Sequence, residues 1–129
     1  MDKEMLPEQD KELAFQSIIL NLLITALDRD IESINNYKLK LKKQHVLFME
    51  KIRQRIQKDL TQVRKDMGRK GIKVFAMENT NEDFCSYRYL VRGYESRFNC
   101  FRPALKMHTE KLLAAYYEID HEDIRKSEK

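Results

Sequence analysis

Glycine and proline are nearly absent from this chain, with three and two among 129 residues. Few tight turns are therefore available, and long helices are expected. Two cysteines, Cys85 and Cys100, are too few for a disulfide scaffold. They are expected to stay reduced and buried. Long apolar runs are missing as well. The most apolar stretch, Leu13 to Leu27, is broken by Gln16, Ser17, Asn21 and Thr25. It falls short of the ~20 apolar residues that a membrane span needs. The first twelve residues are acidic, without a basic segment leading into an apolar one, so no export signal is read there. These absences lead to the expectation of a soluble, cytoplasmic protein with no membrane partner.

Chemical motifs are equally scarce. His45, His108 and His121 stand far apart, with no His-x-x-x-His and no Cys-x-x-Cys. There is no Gly-x-Ser-x-Gly elbow, no glycine-rich phosphate loop and no catalytic cysteine signature. The acids fall on exposed helix faces and in loops rather than as a catalytic pair. The expectation is a non-enzymatic protein that carries no metal and no cofactor.

What the sequence does contain is a sharp segregation of charge. Of all residues, 36% are charged and 42% hydrophobic, a globular composition. The length suits a single domain over 1–129, with 1–9 and 120–129 as flexible ends. Between Tyr37 and Lys73 lie thirteen Lys and Arg against Glu50, Asp59 and Asp66, a net charge of +10. The segment before it carries −5 and the segment after it −1, giving +4 for the chain.

Hydrophobic spacing divides the chain into elements. A first helix is expected from about Asp10 to Leu27 or beyond. Its apolar positions cover most of the circumference, so it must be buried on most sides. It is either the central core helix of one chain or the core of a homodimer, with Phe15, Ile19, Leu22 and Leu23 at the interface. Asn35-Asn36 tolerate a turn. However, apolar residues recur every three or four positions from Leu27 to Met67, which favours helix throughout. A helix over 37–67 would be ~46 Å long, ending at Gly68 and Gly71. Projected at ~100° per residue, Lys40, Lys43, Lys51, Lys58, Lys65 and Arg69 share one side of it. Lys38, Leu41, His45 and Phe48 or Met49 fall on the apolar stripe.

After Gly71 the period drops to two. Strands are expected over 72–77, 84–92 and 94–102, the last two joined at Arg92-Gly93. That turn pairs Val91 with Tyr94, Tyr87 with Phe98 and Cys85 with Cys100, on an apolar face that should meet the helices. It also sets Arg88 opposite Arg97, which costs stability unless an acid or anion is near. Pro103 stops the strand and opens a last helix over 104–119. The expected fold class is α+β: long N-terminal helices, a three-stranded antiparallel meander and a C-terminal helix. An all-α bundle is the alternative.

The functional expectation is a small regulatory or interaction protein, homodimeric, that binds an acidic protein partner through the basic helix face. The alternative is a nucleic-acid-binding accessory protein that uses the same face. Arg88, Arg97, Arg92 and Lys73 would extend that face if the outer side of the sheet adjoins it. The bland reading of the lysines is a solvated surface that keeps the protein in solution.

Overall fold

The computed structural model describes residues 6–127. Two long helices come first, α1 (Glu8–Asn35) and α2 (Lys42–Arg69). An antiparallel sheet follows in the order β1 (Ile72–Asn79), β2 (Phe84–Val91), β3 (Tyr94–Phe101). Two further helices, α3 (Arg102–Tyr116) and α4 (His121–Ser127), close the chain. The architecture is the expected α+β, not the all-α bundle.

One expectation is overturned. The helix does not continue from α1 into α2: the chain leaves helix at Asn36 and re-enters it at Lys42. The amides of Asn36 and Tyr37 close the last turn on the carbonyls of Ser33 and Ile34. Lys42 Nζ donates to the exposed carbonyl of Asn35 at 3.1 Å. The reason for the reversal is hydrophobic. A single straight rod would leave both apolar stripes in water, whereas folding back buries Leu20, Leu23, Ile24 and Leu27 against Ile52, Ile56, Leu60 and Val63. Arg53 donates two bonds to Asp28 and so ties the two helices across their seam. That contact holds the guanidinium pKa above its usual value.

The other sides of α1 are covered by the same chain. Ile18 and Ile19 pack with Cys85, Tyr87, Cys100 and Leu105 in a second cluster under the sheet. Tyr89 stacks on Phe98 at 4.3 Å, and Phe98 meets Phe15 edge-on at 5.6 Å. Ile19 and Leu23, expected at a dimer interface, are therefore buried within one chain, and Phe15 and Leu22 are half-buried. The cover that the dimer argument demanded is supplied by α2, the sheet and α3.

The hairpin register is the one read from the sequence: Val91 faces Tyr94, Tyr87 faces Phe98, and Cys85 faces Cys100. Both turn residues have positive φ, 49° at Arg92 and 87° at Gly93, the primed geometry that suits strand twist. β1 carries a bulge between Val74 and Met77, so Phe75 and Ala76 together oppose Arg88. The two cysteines are free and buried. Burial, and then the neighbouring Cys85, push the Cys100 thiol pKa up. A thiol reagent should therefore label neither cysteine in the native chain and both in denaturant. Rapid labelling of either one under native conditions would show that this cluster opens.

Element boundaries shift by a few residues, most of all near the C-terminus. The last long helix starts two residues earlier than expected and stops at Tyr116, where the chain turns at Glu118 with φ 59°. The tail, expected to be flexible, forms α4 over 121–127. Asp120 Oδ1 accepts the amide of Glu122, and Glu122 and Asp123 sit in the first turn, at the positive end of the helix dipole. Residues 1–5 and 128–129 of the expected flexible ends lie outside the described residues.

Candidate functional site

The buried residues of α2 are Met49, Ile52, Ile56, Leu60, Val63 and Met67. Spaced three and four apart, they define one stripe toward α1. On the opposite side, Lys43, Lys51, Lys58 and Lys65 follow one another at intervals of eight, seven and seven residues, and all are exposed. These intervals keep them on one face, Lys51, Lys58 and Lys65 nearly in line and Lys43 rotated from Lys51 by ~80°, over a length of ~33 Å at 1.5 Å per residue. Among the described residues, none of these four lysines has a carboxylate within 4 Å. Arg69 continues the row but pairs with Asp66 at 2.8 Å.

The flank of α2 that faces α3 is satisfied internally. The hydroxyl of Tyr116 donates to Asp59, and Arg55 lies 5.7 Å from the centre of the Tyr116 ring. Burial and then the Asp59 contact push the Tyr116 hydroxyl pKa up. Asp59 is thus held toward Tyr116 rather than paired with the lysine row.

Three of the expected site residues do not join it. Lys40 lies in the turn between α1 and α2, ahead of the first turn of helix. Arg88 and Arg97 face each other as read, and each has its own acid. Arg88 donates to Glu95 at 2.9 Å and lies 3.8 Å over the Phe75 ring. Arg97 pairs with Glu78 and reaches the Ser86 hydroxyl at 3.4 Å. The like-charge pair is neutralised locally, so it does not widen the basic surface.

Two features were missed by sequence reasoning. The first is the clamp formed by the turn side chain Arg92, which donates to the Lys70 carbonyl at 2.8 Å and to Asp10 at 2.7 Å. Its amide also donates to the Gly71 carbonyl at 2.8 Å. One residue thus joins the hairpin turn to the end of α2 and the start of α1. The available signal was an arginine where a primed turn prefers Asn or Gly. The second is apolar exposure at the α1–α2 turn. Leu41 and Phe48, placed on the buried stripe by periodicity, are exposed, and so are Lys38 and His45. The stripe ceases to be buried beyond Met49 because α3 ends there. Its last cover is Tyr117, edge-on to Phe48 at 5.1 Å.

Concave surface lies elsewhere. A groove of about 760 Å³ runs between α1 and α3, with Phe15, Ile19, Phe98, His108 and Leu112 on its walls. A second, of about 620 Å³, lies on the other side of α3 beside Leu22, Leu27, Tyr87 and Leu113. A smaller one, of about 400 Å³, opens at the β1 bulge beside Ser17, Asn21, Arg64 and Phe75. Among the described residues, no group of three or more His, Cys, Asp or Glu gathers in a way that could hold a metal ion. No helix among them is long and apolar enough to cross a membrane.

Comparison with known proteins gives one consistent relationship. Residues 5–121 match the family model described as YhjD protein. An uncharacterized protein of Bacillus subtilis (strain 168), YhjD, is 30% identical over 111 residues, covering 86% of this chain and 92% of that relative. No solved structure matches the chain.

Proposed function

The chain belongs to the YhjD protein family, and for it we propose a non-enzymatic interaction role: α2 presents its outer lysine row to an acidic protein partner. The observation that carries this reading is the row itself: Lys43, Lys51, Lys58 and Lys65, exposed, on one face and without carboxylate partners. A helix needs its apolar stripe to fold, but it gains nothing in stability from four unpaired like charges on one face. Complementary charge on a partner would speed encounter and fix register along the row.

The make-up of the row favours protein over nucleic acid. It is sparse, interrupted by Leu47, Gln54 and Thr61, and the arginines of the sheet that would broaden it are engaged with Glu95 and Glu78. Affinity for a phosphate backbone grows with the number of phosphates neutralised, and four lysines neutralise few. A row with heptad-like intervals suits carboxylates repeated along one face of a partner helix. The reading does not call on a second copy of this chain, since one chain covers Ile19 and Leu23 by itself.

The test is a cross-linking capture in native extract with the wild type and with the variant Lys51→Glu/Lys58→Glu/Lys65→Glu. The captured partner should carry an acidic helix or segment, and its affinity should fall about tenfold to a hundredfold in the variant. All three positions are exposed, so the variant should keep its helix content by circular dichroism. A parallel titration with single- and double-stranded DNA decides the alternative. Binding that is tighter than to the protein, and that weakens steeply with salt, would replace this reading by the nucleic-acid one.

A further inference from the structure

We propose that the turn joining α1 and α2 docks this protein on an anionic lipid bilayer surface, its apolar side chains entering the interface between lysines. No residue between Leu27 and Met49 is buried; Ile31 and Ile34 are half-buried against the core and Tyr117 meets Phe48, so cover thins out toward the turn. Around the turn Tyr37 is 67% exposed, Leu41 59%, Leu47 58%, Phe48 49% and Leu39 46%. Five large apolar side chains grouped at one end of a small protein mark a contact surface.

The charge of the same segment selects the occupant. Lys38, Lys40, Lys42 and Lys43 lie between Glu32 and Glu50, and no acid intervenes. Along the turn, Tyr37, Leu39 and Leu41 alternate with Lys38, Lys40 and Lys42. Each apolar side chain is therefore flanked by a cation on a long flexible stem. Such stems let the ammonium stay among headgroups while the neighbouring Leu or Tyr goes deeper. Each lysine held near an anionic leaflet raises affinity about fivefold.

The lack of a groove at the turn favours a bilayer over a protein. None of the three grooves described above is lined by residues 36–48. A protein partner would have to supply a cavity that fits the turn, whereas a lipid interface admits apolar side chains of any outline. The earlier expectation of no membrane partner rested on the lack of a spanning segment and on placing Leu41 and Phe48 in a buried stripe; the structure removes the second ground. The inference shares Lys43 with the acidic-partner reading but not Lys51, Lys58 and Lys65, which lie further along α2.

Flotation of the full chain with lipid vesicles tests it. Phosphatidylcholine vesicles containing phosphatidylglycerol should carry the protein, and phosphatidylcholine alone should not. Leu39→Ser/Leu41→Ser should weaken binding at least tenfold, and Lys38→Gln/Lys40→Gln about twentyfold. Lys51→Glu/Lys58→Glu/Lys65→Glu should change it far less, which separates this surface from the lysine row. All the altered residues are exposed, so circular dichroism should show unchanged helix content. Failure to float with anionic vesicles at low salt would overturn the proposal. So would flotation indifferent to the leucine substitutions, since charge alone would then explain it. Tighter binding of soluble polyglutamate than of vesicles through the same turn residues would overturn it in favour of a protein occupant.

Discussion

Replacing Arg92 with alanine should lower the melting temperature by about 10 °C, a loss of roughly 2–3 kcal/mol. The magnitude comes from what the side chain leaves behind. The Asp10 side chain is only 6% exposed, and its described ion pair is with Arg92. Without the guanidinium, a carboxylate remains in a largely dry place, and the Lys70 carbonyl loses a charged donor. Half of the Arg92 side chain is exposed, so the loss stays below that of breaking a fully buried pair. Arg92→Gly sharpens the test. It suits the positive φ that arginine tolerates poorly, yet it removes the same two contacts. Its melting temperature should therefore fall between those of the wild type and Arg92→Ala. Thermal unfolding followed by circular dichroism measures both. If Arg92→Ala melts with the wild type, the clamp contributes nothing. Gly71 belongs to the same arrangement: its φ is +68°, and a Cβ there would come within 3.0 Å of Arg92 Cγ.

A larger loss is expected at Ile56. It is fully buried among the residues shared by α1 and α2. Truncation to alanine should cost about 3–4 kcal/mol, as lost transfer energy plus an imperfectly closed cavity. Ile56→Val should cost about 1 kcal/mol. Lys58→Ala, two residues along on the outer side, should stay within ~0.5 kcal/mol. Urea unfolding of the three variants measures the contrast. Comparable losses at 56 and 58 would mean that the helix presents a different face to the core, and the lysine row would lose its geometric basis.

Much of the fold was legible because period and turn chemistry agree. The switch from spacing near 3.6 to spacing of two after Gly71 separates helices from sheet. The Arg92-Gly93 turn fixes every cross-strand pair out to Cys85 and Cys100. The need for an acid near Arg88 and Arg97 was also legible, although Glu95 and Glu78 as the answers were not. The α1–α2 turn was not legible, because polar and apolar residues keep helical spacing straight through Asn35-Asn36. Only the tertiary gain from folding back decides the break. Periodicity likewise cannot say how far a partner element extends, which is why Leu41 and Phe48 were placed inside. The lysine row was legible from Lys43 onward, since helical projection alone lines it up. Arg92 was not, because its partners lie at the start of α1 and the end of α2, far away in sequence.

The order of the elements has a kinetic consequence. α2 packs on α1, β2 pairs with β1, and β3 pairs with β2, so each of these elements finds its partner next to it in sequence. Such local closures are fast, because little loop entropy opposes them. The slow step is then expected in the distant contacts, where the hairpin and α3 return to α1, and Arg92 and Asp10 are 82 residues apart. A clamp closed late in that return is expected to slow unfolding more than it speeds folding. Without it the protein should assemble almost as quickly but stay assembled for less time.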